Sequence, residues 1–250
     1  MGNLSNILAK RLGMDESITV EELTDEQIQS KKEYELKVKN HSNAKPKKKT
    51  PEYNQLKSLW WKHASQMAQN VGTEIIVDDE NEQFFKSILY YFSNDQENFA
   101  KHSSSICQGE PSIKKGLFIA GSYGFGKSLT MNAMRTALRG FEGLFAYKST
   151  VEIVAEAYAN SNEKNKQKID YTKGTYCFDD LGQEKKYFGE ELFADLLFQR
   201  YDLFRNQQKK THITSNMSLN QIEERYGQYI SSRFHEMFNV IYVSGKDRRK

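Results

Sequence analysis

Apolar positions from residue 51 onward follow two alternating rhythms. Leu56, Trp60, His63, Ala64 and Met67 recur at helical spacing, and Phe84, Phe85, Ile88, Leu89 and Phe92 do so again. The spacing predicts two helices with core-facing aromatic stripes. Between them the run Glu74, Ile75, Ile76, Val77 reads as a short strand. Beyond Gly116 five apolar runs, at 116–120, 144–148, 175–178, 212–215 and 239–243, read as buried strands. Amphipathic stretches separate them, among them 127–139, with Met131, Met134, Leu138 and then Gly140 as a stop, and 190–205. Strands alternating with helices predict an α/β fold with a five-stranded parallel sheet between helices.

The first 50 residues have a different character. Six acidic residues and no basic one lie between Met14 and Ser30, and eight lysines against two glutamates follow between Lys31 and Thr50. Thr24 and Gln27 have capping-box spacing, and the pairs Glu33–Lys37 and Glu35–Lys39 support a helix over 25–39. The run 41–51, with Lys45, Lys47, Lys48 and Lys49, reads as a solvated linker. The expected organisation is therefore a short helical N-terminal arm and basic linker over 1–50, and one α/β domain over 51–250.

Composition narrows the class. The chain has 250 residues, a formal charge of +3 and two cysteines, Cys107 and Cys177. That leaves no disulfide framework and no four-cysteine zinc site. No apolar run reaches the roughly 18 residues of a membrane helix, and no basic-then-apolar leader opens the chain, so a cytoplasmic protein is expected.

The strongest chemical signal is Gly121-Ser122-Tyr123-Gly124-Phe125-Gly126-Lys127-Ser128, which satisfies G-x-x-x-x-G-K-[ST] between a predicted strand and a predicted helix. The glycines let the backbone curl so that its N–H groups face phosphates at the positive end of the helix. Gly121 to Gly126, with Lys127, Ser128 and the next residue Leu129, form the expected nucleotide cradle. Lys127 would reach the β- and γ-phosphates, and Ser128 would bind Mg²⁺. The run 175–178 ends in Asp179-Asp180. Carboxylates at that end of a strand sit where α/β folds bind ligands. Asp179 would hold Mg²⁺, and Asp180 would orient and deprotonate an attacking water. Asn216, at the tip of the run containing Ile213-Thr214-Ser215, can position that water. Cys177 and His212 read as core residues. Arg225, Arg233 and the closing Arg248-Arg249 are surface arginines, one of which could neutralise transition-state charge in a neighbouring copy.

Taken in order, these motifs resemble the AAA+ ATPases of the DnaC/DnaI replicative helicase-loader and IstB transposition-helper group. The resemblance covers about residues 78–250. It rests on the P-loop, Phe178-Asp179-Asp180-Leu181-Gly182, Ile213-Thr214-Ser215-Asn216, Tyr226-Gly227 with Ser232-Arg233-Phe234, and Gly245-Lys246-Asp247-Arg248-Arg249, which is similar to the family's Gly-x-Ser-Tyr-Arg ending. It implies a P-loop NTPase of AAA+ type without a C-terminal helical lid, binding ATP and Mg²⁺. Asn216 then matches sensor 1, Arg233 an arginine finger acting on the next subunit, and Arg249, less securely Arg248, sensor 2. It further implies a homo-oligomer that assembles on single-stranded DNA and loads a replicative helicase, or serves a transposase in the manner of IstB or TnsC. Asp180 stands where many AAA+ proteins have Glu, which keeps a nucleotide-gated binding module with little hydrolysis as a further alternative. A nucleoside kinase would need a lid arginine cluster, and 140–199 contains none.

Overall fold

A computed structural model describes residues 29–30, 48–161, 170–189 and 191–248. The expected arm over 1–50 lies outside the described residues except for these few positions, as does Arg249. Helices α1 (Tyr53–Gln69), α2 (Glu82–Phe92) and α3 (Gln96–Ser103) precede the sheet. The chain then runs β1 (Cys107–Gln108), β2 (Gly116–Gly121), α4 (Lys127–Ala137), β3 (Ala146–Ser149), α5 (Thr150–Ser161), β4 (Tyr176–Leu181), α6 (Leu192–Gln207), β5 (Thr211–Ser215), α7 (Leu219–Tyr226), α8 (Gln228–Met237) and β6 (Phe238–Val243).

The sheet has six strands in the order β1-β6-β2-β5-β4-β3. Five are parallel, as expected, and the sixth, β1, pairs antiparallel with β6 through Cys107 opposite Ile241. The five-strand expectation is thus corrected. A two-residue strand carries no period for a sequence pattern to reveal. The expected strand at 74–77 is also corrected, because these residues belong to no strand and pair with none. Their backbone is held by side chains instead, with Asn81 Nδ2 donating to the Ile76 carbonyl at 2.8 Å.

Alternation along the strands divides two apolar layers. Leu117 and Ile119 of β2 face α1, α2 and α4, against Leu56, Trp60, Ile88, Met131 and Met134. Phe118 and Ala120 face the other way, against Phe193, Leu197, Ile222 and Phe234 of α6, α7 and α8. The P-loop strand is therefore covered on both faces, and its C-terminal end opens between β5 and β6. The chain leaves β2 toward one edge of the sheet and finishes on the other side of it. Such a switch point leaves a crevice at the strand ends.

The opposite end of the sheet is closed by a buried cation. Arg200 donates to Thr211 Oγ1 (2.8 Å) and to the carbonyls of Tyr171 (3.1 Å), Gly174 (3.0 Å) and Lys210 (2.8 Å), fixing the approaches to β4 and β5. Nearby, His212 is 1 % exposed and its Nδ1 accepts the Leu117 N–H at 3.3 Å. Burial, reinforced by Lys210 and Arg200, lowers its pKa from 6.5 to about 3. The folded protein thus refuses a proton that the unfolded chain takes up below pH 6.5, so stability falls as pH drops below that value. Between pH 7 and pH 5 this one group is expected to remove about 2 kcal/mol. Urea unfolding of wild type and His212→Asn at both pH values checks it, since the difference between the two proteins should shrink by that amount at pH 5. Equal pH slopes would show that His212 does not carry the effect.

Candidate functional site

The turn from β2 into α4 takes three glycines through left-handed backbone, Gly121 (φ 144°), Gly124 (φ 71°) and Gly126 (φ 100°). At two of them space is lacking as well. A Cβ on Gly121 would meet the Val243 carbonyl, and one on Gly124 would meet the Asp247 carboxylate. The glycine spacing in the motif is therefore set by both torsion and close approach. Lys127, only 5 % exposed, turns its ammonium back into this loop. It donates to the carbonyls of Gly121 (2.7 Å) and Ser122 (2.8 Å) and to Asn216 Oδ1 (2.8 Å). The loop lysine and the strand-tip amide, 89 residues apart in sequence, thus share a hydrogen bond.

The acid pair owes its geometry to an irregularity in β4. Phe178 pairs with Ile213 and Leu181 with Ser215, so two residues of β4 stand opposite Thr214 alone. This is a β-bulge, and it places Asp180 in the left-handed region at φ 56°. Thr214 occupies the space opposite. Its hydroxyl donates to Asp179 Oδ1 at 2.5 Å and accepts the Asp180 N–H at 3.0 Å. The Thr150 hydroxyl holds the Asp180 carbonyl at 2.9 Å. A strained conformation with this many fixed contacts is over-determined by its surroundings, as strained backbone at functional sites tends to be. The next turn is anchored too. Arg225 of α7 donates to the Gly182 carbonyl, to the Glu184 carbonyl at 2.6 Å and to the Glu191 carboxylate.

Ser128, Leu129, Lys127, Asp179, Asp180 and Asn216 all line one cavity of about 360 Å³, with Gly124, Phe125 and Gly126 on its rim. Its lining also includes the apolar Trp60, Ala68, Val71, Ile75, Ile76 and Phe85, together with Thr73, Glu74 and Asn81. Gly121 and Ser122 contribute through their carbonyls to Lys127. Tyr123 stands out at the loop crest, 57 % exposed. Arg233 is not brought to the cavity of its own chain. It lies on α8, its guanidinium stacked 3.1 Å from the centroid of the Tyr229 ring, itself more than half exposed. Arg248 does reach the cavity.

Three groups in or beside this site went unread in the sequence. Trp60, taken for a core residue, also walls the cavity, its indole N–H donating to the Thr130 carbonyl at 3.3 Å. Within Ile213-Thr214-Ser215-Asn216 nothing marks Thr214 as the partner of both acids. Tyr147 of β3 places its hydroxyl 3.4 Å from the Ser128 carbonyl, and burial together with the neighbouring Asp179 carboxylate raises its phenol pKa. Trp60 and Tyr147 belong to no motif, and only the sheet order brings β3 beside β4.

No protein-family model and no curated protein sequence matches the chain. Solved structures do. The chain is similar to the crystal structure of the DnaC helicase loader, with 19 % identity over 74 % of this chain and 98 % of that one, at a TM-score of 0.49. It is similar to the crystal structure of DnaI, with 22 % identity over 72 % and 93 % of the two chains and a TM-score of 0.46. A third similar structure is AMPPCP-bound DnaA from Aquifex aeolicus, with 15 % identity over 70 % of this chain and 50 % of that one, at a TM-score of 0.47. Among the described residues no helix is long and apolar enough to cross a membrane.

The donor set suits Mg²⁺. Ser128 and Asp179 offer hard oxygens within one cavity. That combination fits a cation arriving with a phosphate, since Mg²⁺ is commonly held by one or two protein oxygens plus the nucleotide.

Proposed function

We propose that this chain is an ATP-binding and ATP-hydrolysing protein of AAA+ type that assembles on single-stranded DNA and loads a replicative helicase. The observation that carries the nucleotide part is the convergence of Lys127, Ser128, Asp179, Asp180 and Asn216 on one cavity that Trp60, Ile75 and Phe85 also line. A nucleoside triphosphate has the matching polarity, with the phosphates in the cradle and the base against Trp60, Ile75 and Phe85. Bound Mg²⁺ would be held by Ser128 and Asp179 and would neutralise phosphate charge. Lys127 would exchange its loop carbonyls for phosphate oxygens. Asn216 would then be released from Lys127 to orient water, and Asp180 would take the water's proton.

The loader part rests on the ordered motifs and not on the cavity. Arg233 lies on α8 outside the lining of its own chain's cavity, and in this reading it serves the cavity of a neighbouring copy. In this reading residues 1–50 form the partner-docking arm and 51–250 the ATPase domain.

Turnover per subunit, measured over a range of protein concentrations with and without oligothymidylate, tests the whole. Turnover is expected to rise with concentration and again with DNA, while Arg233→Ala binds ATP normally but loses the rise. Concentration-independent turnover with Arg233→Ala behaving as wild type would instead mark a monomeric P-loop enzyme. If a co-purified or genomically adjacent transposase, and no helicase, raises turnover, the transposition-helper reading replaces the loader.

A further inference from the structure

The cavity has an unusual wall where Thr73, Glu74, Ile75 and Ile76 line it. Residues 73–80 belong to no helix or strand and expose Ile76 and Val77 to solvent. Such a segment has little burial of its own to keep it in place. At its start the Thr73 hydroxyl donates to the Ala68 carbonyl, and at its end the Asp78 N–H donates to Asn81 Oδ1 at 3.0 Å. What ties it across the site is the tail that follows β6. Arg248 Nη2 lies 2.8 Å from both carboxylate oxygens of Asp78 and 3.0 Å from Glu80 Oε2. The Lys246 N–H also points to Glu80, at 3.4 Å. Arg248 is in turn seated on the P-loop, its backbone N–H on the Gly124 carbonyl (3.3 Å) and its guanidinium over the Phe125 ring (5.4 Å to the centroid). Its side chain is 12 % exposed, against 41 % for Asp78 and 42 % for Glu80.

The guanidinium is thus a rivet between the phosphate loop and the wall of the base. We propose that Asp78 and Glu80, acting through Arg248, are positioning residues that hold the wall 73–81 closed against the P-loop and so set how long a nucleotide stays bound. The assignment rests on the nucleotide reading of the cavity and adds to it the control of nucleotide release. Neither acid lines the phosphate end, and neither is placed to touch the reacting atoms. Their loss should speed release without slowing chemistry. A charge-assisted contact shared by two carboxylates, partly shielded from solvent, should change the dissociation rate about fivefold.

The test uses the full chain and ATP with a fluorescent label on the ribose, displaced by excess unlabelled ATP. In Asp78→Asn/Glu80→Gln the dissociation rate and KM for ATP are expected to rise about fivefold while kcat stays within about twofold of wild type. Arg248→Met should release nucleotide at least as fast. Adding the acid substitutions to Arg248→Met should then change nothing further, because the acids act only through the arginine. Both acids are more than a third exposed and their replacements are isosteric, so the fold is expected to survive, which a melting curve verifies. Unchanged release in the acid variant, or acid and arginine effects that simply multiply, would overturn the proposal while leaving the nucleotide reading intact. Failure of the wild-type chain to bind the labelled ATP at all would overturn both.

Discussion

Lys127→Ala is expected to weaken ATP binding about a hundredfold and to bring turnover below detection. The size follows from where the ammonium sits. It is nearly buried and held in the loop by two carbonyls and the Asn216 amide oxygen, all short contacts that any phosphate must replace in kind. An ammonium so confined meets a phosphate with little reorganisation, and a truncated partner of a desolvated charge costs about 2–5 kcal/mol. The loop itself should persist, since Gly121, Gly124 and Gly126 set its path independently of the lysine. Lys127→Arg should fare little better than alanine, because a planar fork cannot address three acceptors arranged around a point charge. Calorimetric titration with ATP, beside a phosphate-release assay, gives both numbers. An alanine variant that binds ATP as tightly as wild type would mean the cradle is not where the nucleotide sits.

Asp180→Asn is expected to lower kcat about a thousandfold while altering ATP affinity no more than about threefold. Asparagine is the informative replacement here because it accepts left-handed backbone nearly as readily as aspartate. The bulge, the Thr150 and Thr214 contacts and the position of Asp179 should all survive, and only the proton acceptor is lost. Asp180→Ala removes the carboxylate too but adds strain at φ 56°, so it should also destabilise the protein by about 1–2 kcal/mol. Single-turnover hydrolysis and urea unfolding separate the two effects. An asparagine variant that hydrolyses ATP at the wild-type rate would remove Asp180 from the chemistry and favour the nucleotide-gated module.

The P-loop was legible because its physics is local, with glycine torsions, a lysine and a hydroxyl at fixed spacing between a strand and a helix. The acid pair was legible as residues but not as geometry. One extra residue in β4 leaves no mark on an apolar run, yet it turns Asp180 into the left-handed region and gives Thr214 two partners. Residues 74–77 read as a strand because an apolar triplet looks the same whether it pairs in a sheet or borders a cavity. Trp60 was hidden for a related reason, since a helical stripe shows only that a side chain points inward and not what space it meets there. No sequence pattern shows that Arg248 reaches the site. The fold places Arg248 there through partners some 170 residues away.

The sheet's outermost strands are β1, of two residues, and β3, of four. Each offers too brief a row of backbone donors and acceptors to recruit a strand from another molecule. If the proposed assembly on single-stranded DNA gathers copies of the chain at high local density, such edges would risk little fibril-like pairing. Contacts between copies would then be left to side-chain surfaces, which can be released as well as formed.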